Sequence, residues 1–444
     1  MKNSRLLMLG FLVVLLLGIL SPVAIAQDVV NIVWWTESGD EVEEVLIPQF
    51  ADAFNEAHPG IHLEIIGQES TDTVRTAIQA GEAPDIIQTP GASFIAEFVD
   101  AGLILPMTDY AAEFGWEDKL LPWAYNSGIL DGDLYSIPIT YESIIMIYNK
   151  TLFEANGWEV PTTLEELDAV ANEMTEMGIS PFALGSADWQ PTNEWLMSIY
   201  LNNYAGVENV YAALTGELSW EDPIFAEATS LLKTHIADNG WFSGDISNYY
   251  ANTWDDYWIE LANGEAGMMM NGTWSFCCAS DYFEETGQEW GWAPLPVLSD
   301  AAGEYNYQLA TGSTISINGF TEHPDETAIV IDYLLSDPAR ILSIASEVGF
   351  GEYVVPLHFS VEDFPEDTDP RVAEFFADFA KVTSEGRFGY TTWTFWPADP
   401  NVQLWTSVEE VWAGDLSVED YLAEHQALWE DARAEGSTLA VPGR

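Results

Sequence analysis

The sequence predicts an α/β architecture with helices on both faces of its sheets, and three observations carry that prediction. Apolar runs of strand length alternate with stripes of helical period from residue 29 onward. The first run, Val29 to Trp35, is almost continuously apolar, as a parallel strand covered on both faces must be. The 444 residues are too many for one core, yet no long flexible linker divides them. The chain is therefore expected to form lobes that share several crossings.

Each element follows from a local pattern. After the first strand, Val42, Val45, Leu46, Ile47, Phe50, Ala53, Phe54 and Ala57 make one broad helical stripe, which His58-Pro59-Gly60 stops. "IHLEIIG" alternates Ile61, Leu63 and Ile65 as a second strand, and "PDIIQT" reads as a third after a helix-like stretch from Thr73 to Ala80. Asp131-Gly132 marks a turn, with a strand from Ile144 to Tyr148 beyond it. Thr163-Leu164-Glu165-Glu166 is a capping box opening a helix whose buried stripe is Leu164, Leu167, Val170, Ala171 and Met174, closed by Gly178. "PIFAEATSLLKTHIADNGW" is a further amphipathic helix ending at Gly240. "EAGMMMNGTWSF" is apolar and turns at Asn271-Gly272, and "YQLATGSTISIN" is strand-like. "DETAIVIDYLLSDPARILSIAS" is helical with a break near Pro338.

The first residues point outward from the cytoplasm. Lys2 and Arg5 precede "LLMLGFLVVLLLGIL", and Ala24-x-Ala26 offers a cleavage site, so residues 1–26 are expected to be a secretory signal peptide. An uncleaved anchor would call for a longer apolar stretch. Losing Lys2 and Arg5 takes the net charge from -61 to -63. Nucleic-acid binding needs clustered basic side chains, and none exist, so that class is excluded; an anionic membrane surface is disfavoured on the same ground. The acidic residues are dispersed and read as a solvated surface.

Motifs of metal and nucleophile chemistry are missing. His58 and His62 stand four apart, but Pro59-Gly60 between them forbids the helix that would align them. There is no His-Glu-x-x-His, paired Cys-x-x-Cys, EF-hand loop, Walker loop, Gly-x-Gly-x-x-Gly or Gly-x-Ser-x-Gly. Neither a metal nor a cofactor is expected. Asp131-Gly132-Asp133 reads as a hairpin turn rather than a calcium site, and Tyr249-Tyr250 as packing. A secreted glycoside hydrolase stays open, because among 73 acidic residues a carboxylate pair carries no signal. The two cysteines, Cys277 and Cys278, are adjacent; a disulfide and two free thiols both remain possible.

Aromatic residues are the positive signal. Several of the 19 tryptophans lie where strands end or loops begin, among them Trp34, Trp35, Trp189, Trp195, Trp274, Trp393 and Trp396. Indole faces stack on the C–H faces of sugar rings, while nearby carboxylates and amides meet the hydroxyls. Neighbours on a strand point opposite ways, so Trp34 and Trp35 cannot both line one cleft. Trp35, sharing its side with Glu37, is expected to face a ligand, and Trp34 to pack beneath a helix.

These segments resemble a known family. "FNEAHPGIHLEI", "GEAPDIIQ", "AGLILPMTDY", "DLYSIPIT", "YNKTLFEANGWEVPTTLEEL", "GEAGMMMNGTWSF" and "WAPLPV" occur in the order found in the extracellular solute-binding proteins of ABC importers. The resemblance is to the family-1 group that includes maltose-binding protein. It implies a two-lobed periplasmic-binding-protein-like fold with a hinge and an interlobe cleft. Lobe 1 would take residues 27–140 and 306–334, and lobe 2 residues 141–305 and 335–444. It implies a non-enzymatic, monomeric carrier that binds a carbohydrate and delivers it to permease subunits in the membrane. A same-fold binder of a polyamine or metal ion is the remaining alternative. Glu142 falls at the position of a sugar-binding glutamate, and Trp274 matches a stacking tryptophan. Trp35 and Glu37 align with the end of the first strand and the polar loop after it, Asp188 and Trp189 with an acid–aromatic pair, and Trp396 with a C-terminal aromatic. After "PDIIQT" the chain has Pro90-Gly91-Ala92 in place of the aromatic and charged residues of maltose binders. A vicinal disulfide at Cys277-Cys278 would add a flat apolar face near Trp274.

Overall fold

The computed structural model describes residues 29–37, 42–68, 76–78, 80, 83–89, 91, 95, 98–99, 101–130, 132–190, 192–350, 354–439 and 441–443. The expected signal peptide lies outside them, as do Pro90, Ala92, Asp131 and half of the stretch Thr73–Ala80. In chain order the strands are β1 (Val30–Glu37), β2 (Ile61–Gln68), β3 (Ile86–Thr89), β4 (Ile129–Leu130), β5 (Asp133–Leu134), β6 (Ile137–Glu142) and β7 (Ile144–Asn149). They continue with β8 (Ser180–Phe182), β9 (Ala266–Gly272), β10 (Trp290–Ala293), β11 (Tyr307–Ile317) and β12 (Phe388–Tyr390).

Two sheets organise the molecule. β1 pairs in parallel with β2 along its whole length, and through Trp34 and Trp35 with β3. β11 joins β3 and β6 antiparallel and β12 parallel, giving the order β12-β11-β3-β1-β2 with β6 also on β11. The second sheet runs β10-β7-β9-β8. β4 and β5 form the small hairpin expected around Gly132, which sits at φ 92°, where a side chain would be strained.

Each sheet has its own core. Ile32, Trp34, Phe50, Phe54, Leu63 and Ile86 pack with Val330 and Ile331 of helix Pro324–Leu335 on the first sheet. Trp34 meets Phe50 edge to face at 5.9 Å, beneath the helical segment Val42–Ala51. The second core gathers Ile144 to Ile147, Met268 to Met270, Phe182 and Leu196. The helix Leu164–Met177 covers it with Leu167, Val170, Ala171 and Met174. Its cap differs from the expected box by one residue. The Glu166 N–H donates to Thr163 Oγ1 at 3.3 Å, but the Glu166 carboxylate accepts from Thr162, N–H at 2.8 Å and O–H at 2.7 Å.

Three stretches carry the chain between the cores. β6 brings Ile137 and Ile139 to the first core and Tyr141 to the second. β11 has Ile315 and Ile317 in the first and Tyr307 and Leu309 in the second. The stretch 335–357 is shared: Leu335, Ile341, Ile344, Val355 and Leu357 belong to the first core, while Leu342, Ala345 and Val354 belong to the second. The sharing arises because helix Pro338–Glu347 has one apolar edge for each core. From Val372 onward the core residues pack on the second side.

A candidate ligand site lined by aromatic rings

β9 ends in Gly272 and a tight turn, Thr273–Ser275, follows. A Cβ on Gly272 would overlap the indole of Trp274, so only glycine lets that ring lie back across the strand end. The half-buried Trp274 ring sits 5.0 Å from Trp195 at 57° and 6.1 Å from Trp393 at 74°. Trp195 projects from helix Thr192–Tyr200. Trp254 and Tyr257 come from helix Trp254–Asn263, their rings 5.5 Å apart. The loop after β8 adds Gly185, Asp188 and Trp189, and its backbone runs so close to Asn252 that a Cβ on Gly185 would collide with it. Together these residues and Thr192 line a cleft of about 300 Å³.

The chemistry of the cleft is mostly aromatic. Trp195 is 8% exposed and Trp189 57%, so the rings grade from a packed floor to an open rim. Among the described residues Asp188 is the one carboxylate of the lining. Its Oδ2 accepts the Trp254 N–H at 2.8 Å, which ties the loop to the first turn of the helix and leaves Oδ1 for other donors. Burial pushes the Tyr257 phenol well above its ordinary pKa, so it remains a neutral hydroxyl able to donate and accept.

Glu142 lies at the end of β6, opposite Ala310 of β11, with its carboxylate over Gly312, where a Cβ would overlap it. One backbone link brings it near Trp274. Thr273 N–H donates to Ser143 O at 3.0 Å and Ser143 N–H donates to Thr273 Oγ1 at 3.3 Å. Glu142 and Trp274, distant in sequence, thus flank the same hydrogen-bonded pair at a crossing between the cores.

The other expected site residues fall elsewhere. Trp35 is half-buried on the face of the first sheet opposite Trp34, against Ile78, Ile87, Phe98 and Ile104. It is not among the residues lining the aromatic cleft. Its strand end is held by Thr36, whose hydroxyl donates to Gln88 Oε1 at 2.6 Å, while Gln88 Nε2 donates to Ser313 Oγ at 2.9 Å. Glu37 ends β1, and its side chain lies outside the described residues. Trp396 is 1% exposed and belongs to the second core, packed on Trp220 at 5.2 Å. Its indole N–H donates to His425 Nε2 at 3.2 Å, and burial pushes that imidazole down to about 3, keeping it a neutral acceptor. A ring so enclosed has no face for a ligand.

Sequence reasoning gave Trp195 and Trp393 no site role and passed over Trp254 and Tyr257. Helix Thr192–Tyr200 is buried throughout, and helix Trp254–Asn263 has one ordinary buried stripe, Tyr257, Trp258, Leu261 and Ala262, so no periodicity separates a cleft ring from a core ring. Cys277 and Cys278 form a disulfide in the first turn of helix Phe276–Thr286, with Cys277 Sγ 3.1 Å from the Trp274 carbonyl oxygen. Neither cysteine lines the cleft. Among the described residues, no group of acidic, histidine and cysteine side chains could hold a metal ion.

Two packed sheets, shared crossings and an aromatic cleft beside one crossing define a two-lobed solute-binding protein. Residues 38–341 match the family described as bacterial extracellular solute-binding protein, and the chain belongs to that family. It is 24% identical over 350 residues to the maltotriose-binding protein of Pyrococcus abyssi, across 78% of this chain and 70% of that protein. It is 25% identical over 293 residues to an uncharacterised ABC transporter extracellular-binding protein of Pyrococcus horikoshii, across 63% of this chain. That match spans 62% of the relative, under two thirds of its length. The fold is that of the sugar-binding protein MalE from Xanthomonas citri, with a TM-score of 0.70, 21% identity, and 91% and 98% of the two chains covered. The family is one of binding proteins, not enzymes.

Proposed function

We propose that this chain is the exported substrate-binding subunit of an ABC importer, that it holds a sugar or oligosaccharide in the aromatic cleft, and that it delivers the sugar to permease subunits in the membrane as a monomer. The observation that carries this reading is the cluster of Trp189, Trp195, Trp254, Tyr257 and Trp274 around a single carboxylate. Such a wall offers several flat faces to sugar C–H groups and few charges. Trp189 and Trp274 stack the ligand; Asp188 and Glu142 receive hydroxyls. Trp35 and Glu37, at the end of β1, would meet the ligand from the other lobe when the lobes close, a motion of the hinge class. The lobes are assigned to the two cores, with boundaries at the three crossings. The name of the maltotriose-binding relative points to the same ligand class.

The lining argues against the alternatives. A polyamine needs several carboxylates against it, and a hydrolase needs two flanking one bond; among the described residues lining the cleft Asp188 is the one carboxylate, and Glu142 is not in that lining. A thermal-shift screen over mono- and oligosaccharides, polyamines and divalent metals tests the reading. Neutral sugars are expected to raise the melting temperature, and a shift with polyamines or metals alone would replace it.

Gly272→Ala gives a finer check on Trp274. At φ -81° the backbone accepts alanine, so the only obstacle is the indole lying where the methyl would go. The ring must swing away, and affinity for the sugar found in the screen is expected to fall about fivefold with far-UV circular dichroism unchanged. An unaltered calorimetric affinity would mean that the ring's resting place does not matter.

A further inference from the structure

On the other side of β6 from Glu142 lies a second cavity, of about 580 Å³. Successive strand residues point to opposite faces, so Tyr141 faces this cavity while Glu142 lies over Gly312. Two crossings form its back: the Tyr141 N–H donates to Val354 O at 3.1 Å, and the Leu121 N–H donates to Pro356 O at 2.8 Å. Helix Pro122–Ser127 and helix Pro370–Ser384 supply the two sides.

We propose that this cavity is a second ligand site, for a neutral aromatic small molecule carrying one hydrogen-bond acceptor. Three observations lead there. First, the chain has 73 acidic and 12 basic residues, yet among the described residues no Asp, Glu, Lys or Arg lines this cavity, and the one imidazole among them, His358, stands exposed. A charged ligand or a metal ion finds no carboxylate, ammonium or guanidinium among the described lining residues, whose polar side chains besides His358 and Tyr141 are Asn126, Ser360, Thr383 and Ser384. Second, Trp123, Tyr141, Phe359, Phe364, Phe376 and Phe388 give it aromatic walls. Tyr141 meets Trp123 at 6.1 Å and Phe376 at 5.5 Å, both edge to face, the geometry that a further inserted ring would extend.

Third, two donors on that wall lack acceptors. Tyr141 is 2% exposed, and among the described residues its hydroxyl has no hydrogen-bond partner. Trp123 is 8% exposed, and its indole N–H is likewise unpartnered. The Tyr141 hydroxyl can donate to an acceptor on a ligand in the cavity, whereas the Trp123 N–H is enclosed in the wall. The volume suits a molecule of two or three fused rings. This site is independent of the carbohydrate reading, since it shares no lining residue with the aromatic cleft.

The test is a titration of the exported full chain with prodan, a neutral naphthalene whose carbonyl accepts a hydrogen bond and whose emission shifts with that bond. Saturable one-to-one binding is expected. Ala380→Trp, which fills the cavity from helix Pro370–Ser384, should weaken it at least tenfold. Tyr141→Phe, which keeps the shape and removes the hydroxyl, should weaken it about threefold and move the emission to the blue. Trp274→Ala should leave it unchanged. Absence of saturable binding overturns the proposal. So does loss of binding in Trp274→Ala with Ala380→Trp unaffected, since the probe would then sit in the aromatic cleft. Wild-type affinity and emission in Tyr141→Phe overturn the assigned ligand class, and that variant decides the matter if Ala380→Trp does not fold.

Discussion

Trp274→Ala is expected to weaken carbohydrate binding by about ten- to a hundredfold while the protein stays folded, the range seen when a central aromatic anchor is truncated. The ring is half-buried, wedged between Trp195 and Trp393 and seated on Gly272, so its position is fixed before a ligand arrives. A ring held in place spends no rotamer entropy on binding, which makes its stacking energy available to the complex. Because part of the ring is exposed, its loss should cost the fold about 1 kcal/mol, far less than removal of a fully enclosed tryptophan. Isothermal calorimetry with the sugar identified by thermal shift measures the first effect and urea unfolding the second. Unchanged affinity would remove Trp274 from the site. A variant that lost affinity only because it had unfolded would show itself in the urea curve.

The second large effect concerns pH. Glu194 is 6% exposed on helix Thr192–Tyr200, next to the cleft residues Thr192 and Trp195. Burial raises its pKa from 4.5 to about 7, against the opposing hydrogen bonds from Asn401, whose Nδ2 donates at 3.1 Å, and from Thr392. The folded protein therefore holds this proton more tightly than the unfolded chain. Stability falls as pH rises from 4.5 through 7, and the full loss, about 3 kcal/mol, persists above that window. Glu194→Gln keeps an oxygen for Asn401 and never ionises. It should match the wild type at pH 4 and exceed it by about 3 kcal/mol at pH 8. Chemical denaturation at both values measures the gap. Glu435→Gln, at an exposed position, controls for general relief of repulsion in so acidic a chain. Equal stabilities of Glu194→Gln and wild type at pH 8 would show that the carboxyl is hydrated in the folded protein.

The sequence by itself determined whatever depends on neighbours along the chain. Val30 to Trp35 had to be a strand covered on both faces, His58-Pro59-Gly60 had to end a helix, and Thr163 had to cap one, since apolar period and backbone freedom are local properties. The opposed directions of Trp34 and Trp35 also followed from strand alternation alone. Order and spacing of motifs carried the family, and with it Glu142 and Trp274. Only the tertiary structure decided which tryptophans line the cleft and which are enclosed. Trp274 and Trp396 end neighbouring segments with similar polar–aromatic surroundings in sequence, yet one lies half-open on Gly272 and the other is enclosed by Trp220, Trp429 and His425. Trp254 and Tyr257 reached the cleft because Asp188 binds their helix, a contact across 66 residues. Exposure of a ring is a property of everything packed around it, and an apolar stripe of helical period reads the same in sequence whether it meets a core or a cleft.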